Sequence, residues 1–144
     1  MNREPRYEVL PHTADLGVRV RGRDAAEVFA NAAYALSDNL IDLRAVEPAT
    51  ERVIEVSASD IEDLLVRWLG ELLFVFEQEA FIGCEFDVSL DAAEPTCGLR
   101  AVVRGERVDP ARHTVYSEIK AVTYHGLVVT EDAEGWRAEV IFDL

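Results

Sequence analysis

The chain reads as an α+β protein, with two main helices set among seven or eight strands of a mixed, mostly antiparallel sheet. Three observations lead there. Apolar residues recur at three-and-four spacing from Ile61 to Phe76. A second, alanine-rich run with helical spacing follows Asp24. From Phe81 onward, strand-like runs alternate with turn residues to the end of the chain. At 144 residues, one domain spanning 1–144 is expected.

Taken in order, Met1-Asn2-Arg3-Glu4-Pro5 reads as a loose leader and Tyr7 to Leu10 as a short strand. Leu16 to Arg21 alternates as a half-buried strand does, and Gly22 breaks it. Asp24 and Glu27 form a capping box for the first helix. Its stripe of Ala25, Phe29, Ala32, Ala33, Leu36 and Leu40 is mostly small, so the helix can lie close to a sheet. Arg52 to Ala58 is a strand, and Ser59 with Glu62 is a second capping box. The helix that follows is expected to be the central core helix, with Phe74 and Val75 widening its apolar stripe. Gly70 within it costs about 1 kcal/mol in propensity and suggests close packing. Cys84 to Leu90, Leu99 to Arg104, Val115 to Val122, Gly126 to Thr130 and Trp136 to Phe142 are the remaining strand candidates.

The bulk numbers exclude several classes. Hydrophobic residues make up 49%, too many for a disordered chain. Net charge is −14, from 28 acidic residues against 14 Lys and Arg, which argues against a polyanion as main partner and favours a basic protein. No apolar run is long enough to span a bilayer and no secretory signal is evident, so a cytoplasmic location without membrane contact is expected. Cys84 and Cys97 sit toward different ends of an expected hairpin, too far apart for a disulfide, and are read as reduced thiols.

The chemistry concentrates at carboxylates. In an ideal strand from Trp136, the residues Trp136, Ala138, Val140 and Phe142 share the core face. Asp143 then points away from the core, beside the terminal carboxylate of Leu144. Asp15 lies between the first two strands, where a turn would place it at a sheet edge. Asp15, Asp143 and Leu144 together would make a hard oxygen site suited to calcium or magnesium. A zinc site of His12, Asp15 and His125 can be drawn, but no metal-ligand spacing supports it. Tyr116, Glu118, Lys120, Val122 and Tyr124 would share one strand face, with Glu118 and Lys120 as same-face neighbours able to pair. That face is either solvated or a docking surface. No hydrolase or nucleotide-binding motif is present.

These residues resemble the archease family. The resemblance rests on Tyr7-Glu8, on His12-Thr13-Ala14-Asp15, and on the alanine-rich helix with Asp42 and Val46-Glu47-Pro48 after it. It continues through Asp60, Leu64-Leu65, Trp68-Leu69, Gly105-Glu106, the run Glu118 to His125, and Asp143. What the resemblance implies is a protein cofactor, not an enzyme: an activator of the RNA ligase of tRNA splicing and RNA repair. It would promote guanylylation and multiple turnover of the ligase, and would meet RNA only through that partner. It also implies a divalent metal, calcium with magnesium or manganese as alternatives, on Asp15, Asp143 and Leu144. His12, Asp42, Glu118 and Lys120 are expected to support the site or contact the partner. Gly70 and Leu144 depart from the usual family residues. A small metal-dependent hydrolase and a protein chaperone are the competing readings.

Overall fold

The computed structural model describes residues 6–11, 15–91, 96–116 and 118–144. The expected leader at 1–5 and His12 lie outside them. The strands are β1 (Tyr7–Leu10), β2 (Leu16–Gly22), β3 (Thr50–Ala58), β4 (Phe81–Asp91), β5 (Cys97–Arg107), β6 (Ala121–Val122), β7 (Val128–Asp132) and β8 (Gly135–Asp143). The helices are α1 (Ala25–Leu40) and α2 (Ile61–Glu79). The α+β class and the element count match the sequence reading. The strands divide between two sheets, and every pairing is antiparallel.

The first sheet runs β1-β2-β8, with β6 and β7 sharing the other edge of β8. The second runs β3-β5-β4. Both helices touch both sheets, so they form a layer between them. This explains α1. A helix covered on two sides needs apolar or small residues around most of its circumference, and Val28, Phe29, Ala32, Ala33, Ala35, Leu36, Ser37 and Leu40 are all buried. Trp68 of α2 is fully buried and its indole N–H donates to the Phe29 carbonyl at 3.0 Å, tying the two helices together.

Several sequence details shift. α2 is capped by Asp60, whose carboxylate accepts from Asp63 N–H at 2.7 Å, one residue later than the expected Ser59 box. Phe74 is 55% exposed and does not widen the core stripe, whereas Val75 is buried. A Cβ on Gly70 would meet nothing within 4 Å, so close packing does not explain that glycine. Gly105 does mark a close approach: its Cβ would lie 1.9 Å from the Ile82 carbonyl, where β4 bulges at Gly83–Glu85. Cys84 sits in that bulge and Cys97 pairs in register with Ala58, so both thiols are free as expected.

The largest correction concerns Val115 to Val122. Among the described residues of this run, only Val115, in a bridge to Ile41, and β6 pair as strand. Between them the backbone serves two different neighbours: Tyr116 N–H donates to Leu40 at 2.8 Å, and Lys120 N–H to Asp143 at 2.7 Å. A segment whose hydrogen bonds go to separate partners cannot keep strand alternation. Buried Ile119 anchors it to the core. No helix among the described residues is long and apolar enough to cross a membrane.

Candidate functional site

The site is built by the register of β2 against β8. Leu16 pairs with Phe142, whose side chain is fully buried. Alternation along β8 therefore turns Asp143 to the outer face of the first sheet. Asp15 immediately precedes β2 and Asp143 closes β8, so the Leu16–Phe142 pairing brings both to the same end of the first sheet. On its other flank Asp143 pairs with Ala121 and accepts the Lys120 N–H through its carbonyl. The backbone of Asp143 is thus held from both sides while its side chain is exposed.

Two aspartates side by side repel, and a sheet charges for like charges placed directly opposite. Carboxylate oxygens are the donors a hard cation takes, whereas nitrogen and sulfur would favour zinc. The donor set therefore fits the expected calcium-class ion. Among the described residues, no three His, Cys, Asp or Glu side chains are grouped to hold a metal by themselves. His125 is exposed in the turn between Tyr124 and Leu127, and nothing gathers it with Asp15 into a zinc site.

The 115–120 segment stitches the end of α1 to the end of β8, which brings Asp42 to the same end of the molecule. Asp42 caps the 3₁₀ turn Leu43–Ala45 and accepts from the Arg44 backbone N–H at 3.0 Å and from its guanidinium at 2.7 Å. The Arg44 side chain, then its backbone N–H, hold the Asp42 carboxyl down at about 2. Beside it Tyr7 donates to Asp38 at 2.8 Å, and burial followed by that carboxylate pushes the Tyr7 hydroxyl well above its ordinary range. Tyr34, Asp38, Asp42, Arg44 and Tyr116 line a cavity of about 280 Å³. Glu118 and Lys120 are exposed on the irregular segment and form no ion pair with each other.

One polar knot has no signature in the sequence. His113 is buried, its Nδ1 accepts from Asp109 N–H at 2.8 Å, and its Nε2 faces Ala45 O at 3.2 Å and Glu106 at 3.3 Å. Glu106 also accepts from Glu47 N–H at 2.7 Å and from Arg112. Those two bonds, the Glu47 one first, keep its carboxyl below the ordinary value. The knot pins the loop after β5 onto the 3₁₀ turn, so His113 is structural.

Residues 7–144 match the family profile described as the Archease protein family. Proteins named "Protein archease" from Methanosarcina mazei and Pyrococcus abyssi are similar: 39% identical over 140 residues, covering 96% of each chain, and 35% identical over 140 residues, covering 96% of this chain and 99% of that one. The solution structure of protein 1598 of Methanobacterium thermoautotrophicum superposes with a TM-score of 0.85 at 33% identity, over 98% of this chain and 100% of that one.

Proposed function

This chain belongs to the archease family, and from that membership we propose that it activates an RNA ligase of tRNA splicing and RNA repair, as a protein cofactor rather than an enzyme. What supports the reading is the pairing of Leu16 with Phe142, which brings Asp15, just before β2, and exposed Asp143, at the close of β8, to one end of the first sheet. Asp15, Asp143 and the carboxylate of Leu144 would hold a divalent cation, calcium before magnesium or manganese. Such an ion supplies charge neutralisation and a centre that orients phosphate oxygens of a bound nucleotide.

The remaining steps belong to this chain's own residues. The bonds from Leu40 and Asp143 to the 115–120 segment hold Tyr116, Glu118 and Lys120 at the rim of the acidic end, where a partner's surface would meet them. Asp42, fixed by Arg44, stays ionised and keeps that rim negative. A net charge of −14 suits a partner whose RNA-binding surface is basic. The proposed effect is to favour the ligase conformation competent for guanylylation, and so to permit repeated turnover.

The test is ligase guanylylation and multiple-turnover RNA joining with and without this chain. Stimulation by the wild-type chain is expected, with none by Asp15→Asn. Equal guanylylation in the presence and absence of the folded chain would refute the reading.

A further inference from the structure

The outer face of the first sheet carries a second like-charge pair at its other end. Arg21 of β2 and Arg137 of β8 are register partners, so their side chains leave the same face side by side. Among the described residues neither guanidinium has a carboxylate within ion-pair distance. Two of the neighbouring acids are already engaged. Glu139 accepts from Arg19 at 2.7 and 3.0 Å, and Glu27 from Arg23 at 3.0 Å. The Nε of Arg137 is buried and has no hydrogen-bond partner. A desolvated cationic donor left unpaired is costly, and it stands beside a second cation that adds repulsion. Arg21 opens into a cavity of about 640 Å³ at the edge of β2, which Arg6, Asn31 and the rim acids Glu8 and Glu134 also line. In a chain of net charge −14, this is a local reversal of sign.

We propose that Arg21 and Arg137 together hold a phosphate group on the outer face of the first sheet, beside the cavity that Arg21 lines. The choice of phosphate over carboxylate follows from geometry. One guanidinium fork saturates the two oxygens of a carboxylate, whereas a tetrahedral phosphate offers oxygens to two forks at once. Cross-strand partners stand about 4.5–5.5 Å apart at Cβ, close enough for both forks to reach one phosphorus centre. Six residues (143 − 137) separate Arg137 from Asp143 on β8, about 20 Å at strand rise, so this site is distinct from the acidic end. The phosphate comes from an RNA backbone or from a free nucleotide. Direct contact with RNA would depart from the sequence expectation that RNA meets this chain only through its partner. The inference does not depend on the ligase reading and is tested without a ligase.

The measurement is the ¹H–¹⁵N spectrum of the arginine Nε–H groups, titrated separately with a 12-nucleotide RNA, with GTP, and with polyglutamate. A saturable shift of the Arg137 Nε resonance is expected with RNA, GTP or both. RNA alone identifies a strand site, and GTP alone a nucleotide site. Arg21→Gln should weaken the binding, followed by the Arg137 resonance, at least tenfold. Arg137→Met, which removes the desolvated charge, should keep or raise the melting temperature while losing phosphate binding measured by calorimetry. Asp143→Asn should leave binding unchanged. The proposal is overturned if neither phosphate ligand moves the Arg137 resonance at millimolar concentration, if polyglutamate binds as tightly, or if Arg21→Gln and Arg137→Met both bind as wild type does.

Discussion

The two sheets treat charge on their outer faces in opposite ways. On the second sheet the central strand β5 presents Arg100 and Arg104, and each has an acid in register: Glu55 beside Arg100, and Glu51 and Glu85 on either side of Arg104. Ion pairs at 3.5 Å and 3.2 Å join Arg100 to Glu55 and Arg104 to Glu51. That face satisfies itself and needs only water. The first sheet has such a match in the middle of its face, Arg19 between Glu8 and Glu139. At one end Arg21 stands in register with Arg137, and at the other Asp15, just before β2, shares the end of the sheet with Asp143. A fold that can pair cross-strand charges on one sheet and opposes them on the other has left the second arrangement to be completed from outside. On the proposed reading, the contrast is between a solvated surface and a working one.

Both faces stand on the same helical layer, so the contrast should collapse when that layer does. Trp68→Ala removes a fully buried ring and its bond to Phe29, and should cost about 3–5 kcal/mol. A thermal or urea melt reads it, and an unchanged midpoint would place the ring outside the core.

Calcium should distinguish the two faces next. At a concentration about 100 times Kd, a site present only in the folded state adds about 2.7 kcal/mol. Calcium is therefore expected to raise the melting temperature of the wild type and of Glu51→Gln, but not of Asp143→Asn. A shift retained in Asp143→Asn would move the cation site elsewhere.

Without metal, the same contrast predicts opposite signs for charge changes. Asp15→Asn relieves a like-charge pair and should stabilise the protein by roughly 0.2–1 kcal/mol, while Glu51→Lys breaks a matched pair and should destabilise it by a similar amount. Chemical denaturation in chelator measures both, and equal signs would remove the distinction between the faces.

The smallest effect lies at Asp42. Its folded pKa of about 2 is depressed from 3.8, chiefly by Arg44. A depressed carboxyl stabilises above its unfolded value, and the contribution is lost as pH falls from 3.8 toward about 2. Asp42→Asn should therefore lower the melting temperature slightly at neutral pH, where that contribution is complete, and the two chains should converge as pH falls toward about 2.

Much of this was legible in the residues. The Ile61–Phe76 periodicity marked α2, and alternation from Trp136 put Ala138, Val140 and Phe142 in the core and Asp143 outside it, as found. Asp15 could be flagged by its segment, but its place at the same end of the sheet as Asp143 depends on register between strands more than a hundred residues apart. No local pattern encodes that. Local pattern also failed where backbone bonds are split between distant partners, as from Tyr116 to Lys120, where alternating residues suggested a strand. The Glu106–His113 knot and the Arg21–Arg137 pair are likewise products of register, invisible until the strands are laid side by side.

In the proposed function, the acidic end of the first sheet is the surface that acts on the ligase. Multiple-turnover RNA joining with chains tagged at either terminus tests it most directly, each form checked for folding by circular dichroism. A C-terminal tag converts the Leu144 carboxylate into a peptide and leads backbone through the space beside Asp143. Stimulation is expected to be lost with the C-terminal tag and with Asp143→Ala, and kept with the N-terminal tag. Full stimulation by the C-terminally tagged chain would contradict it.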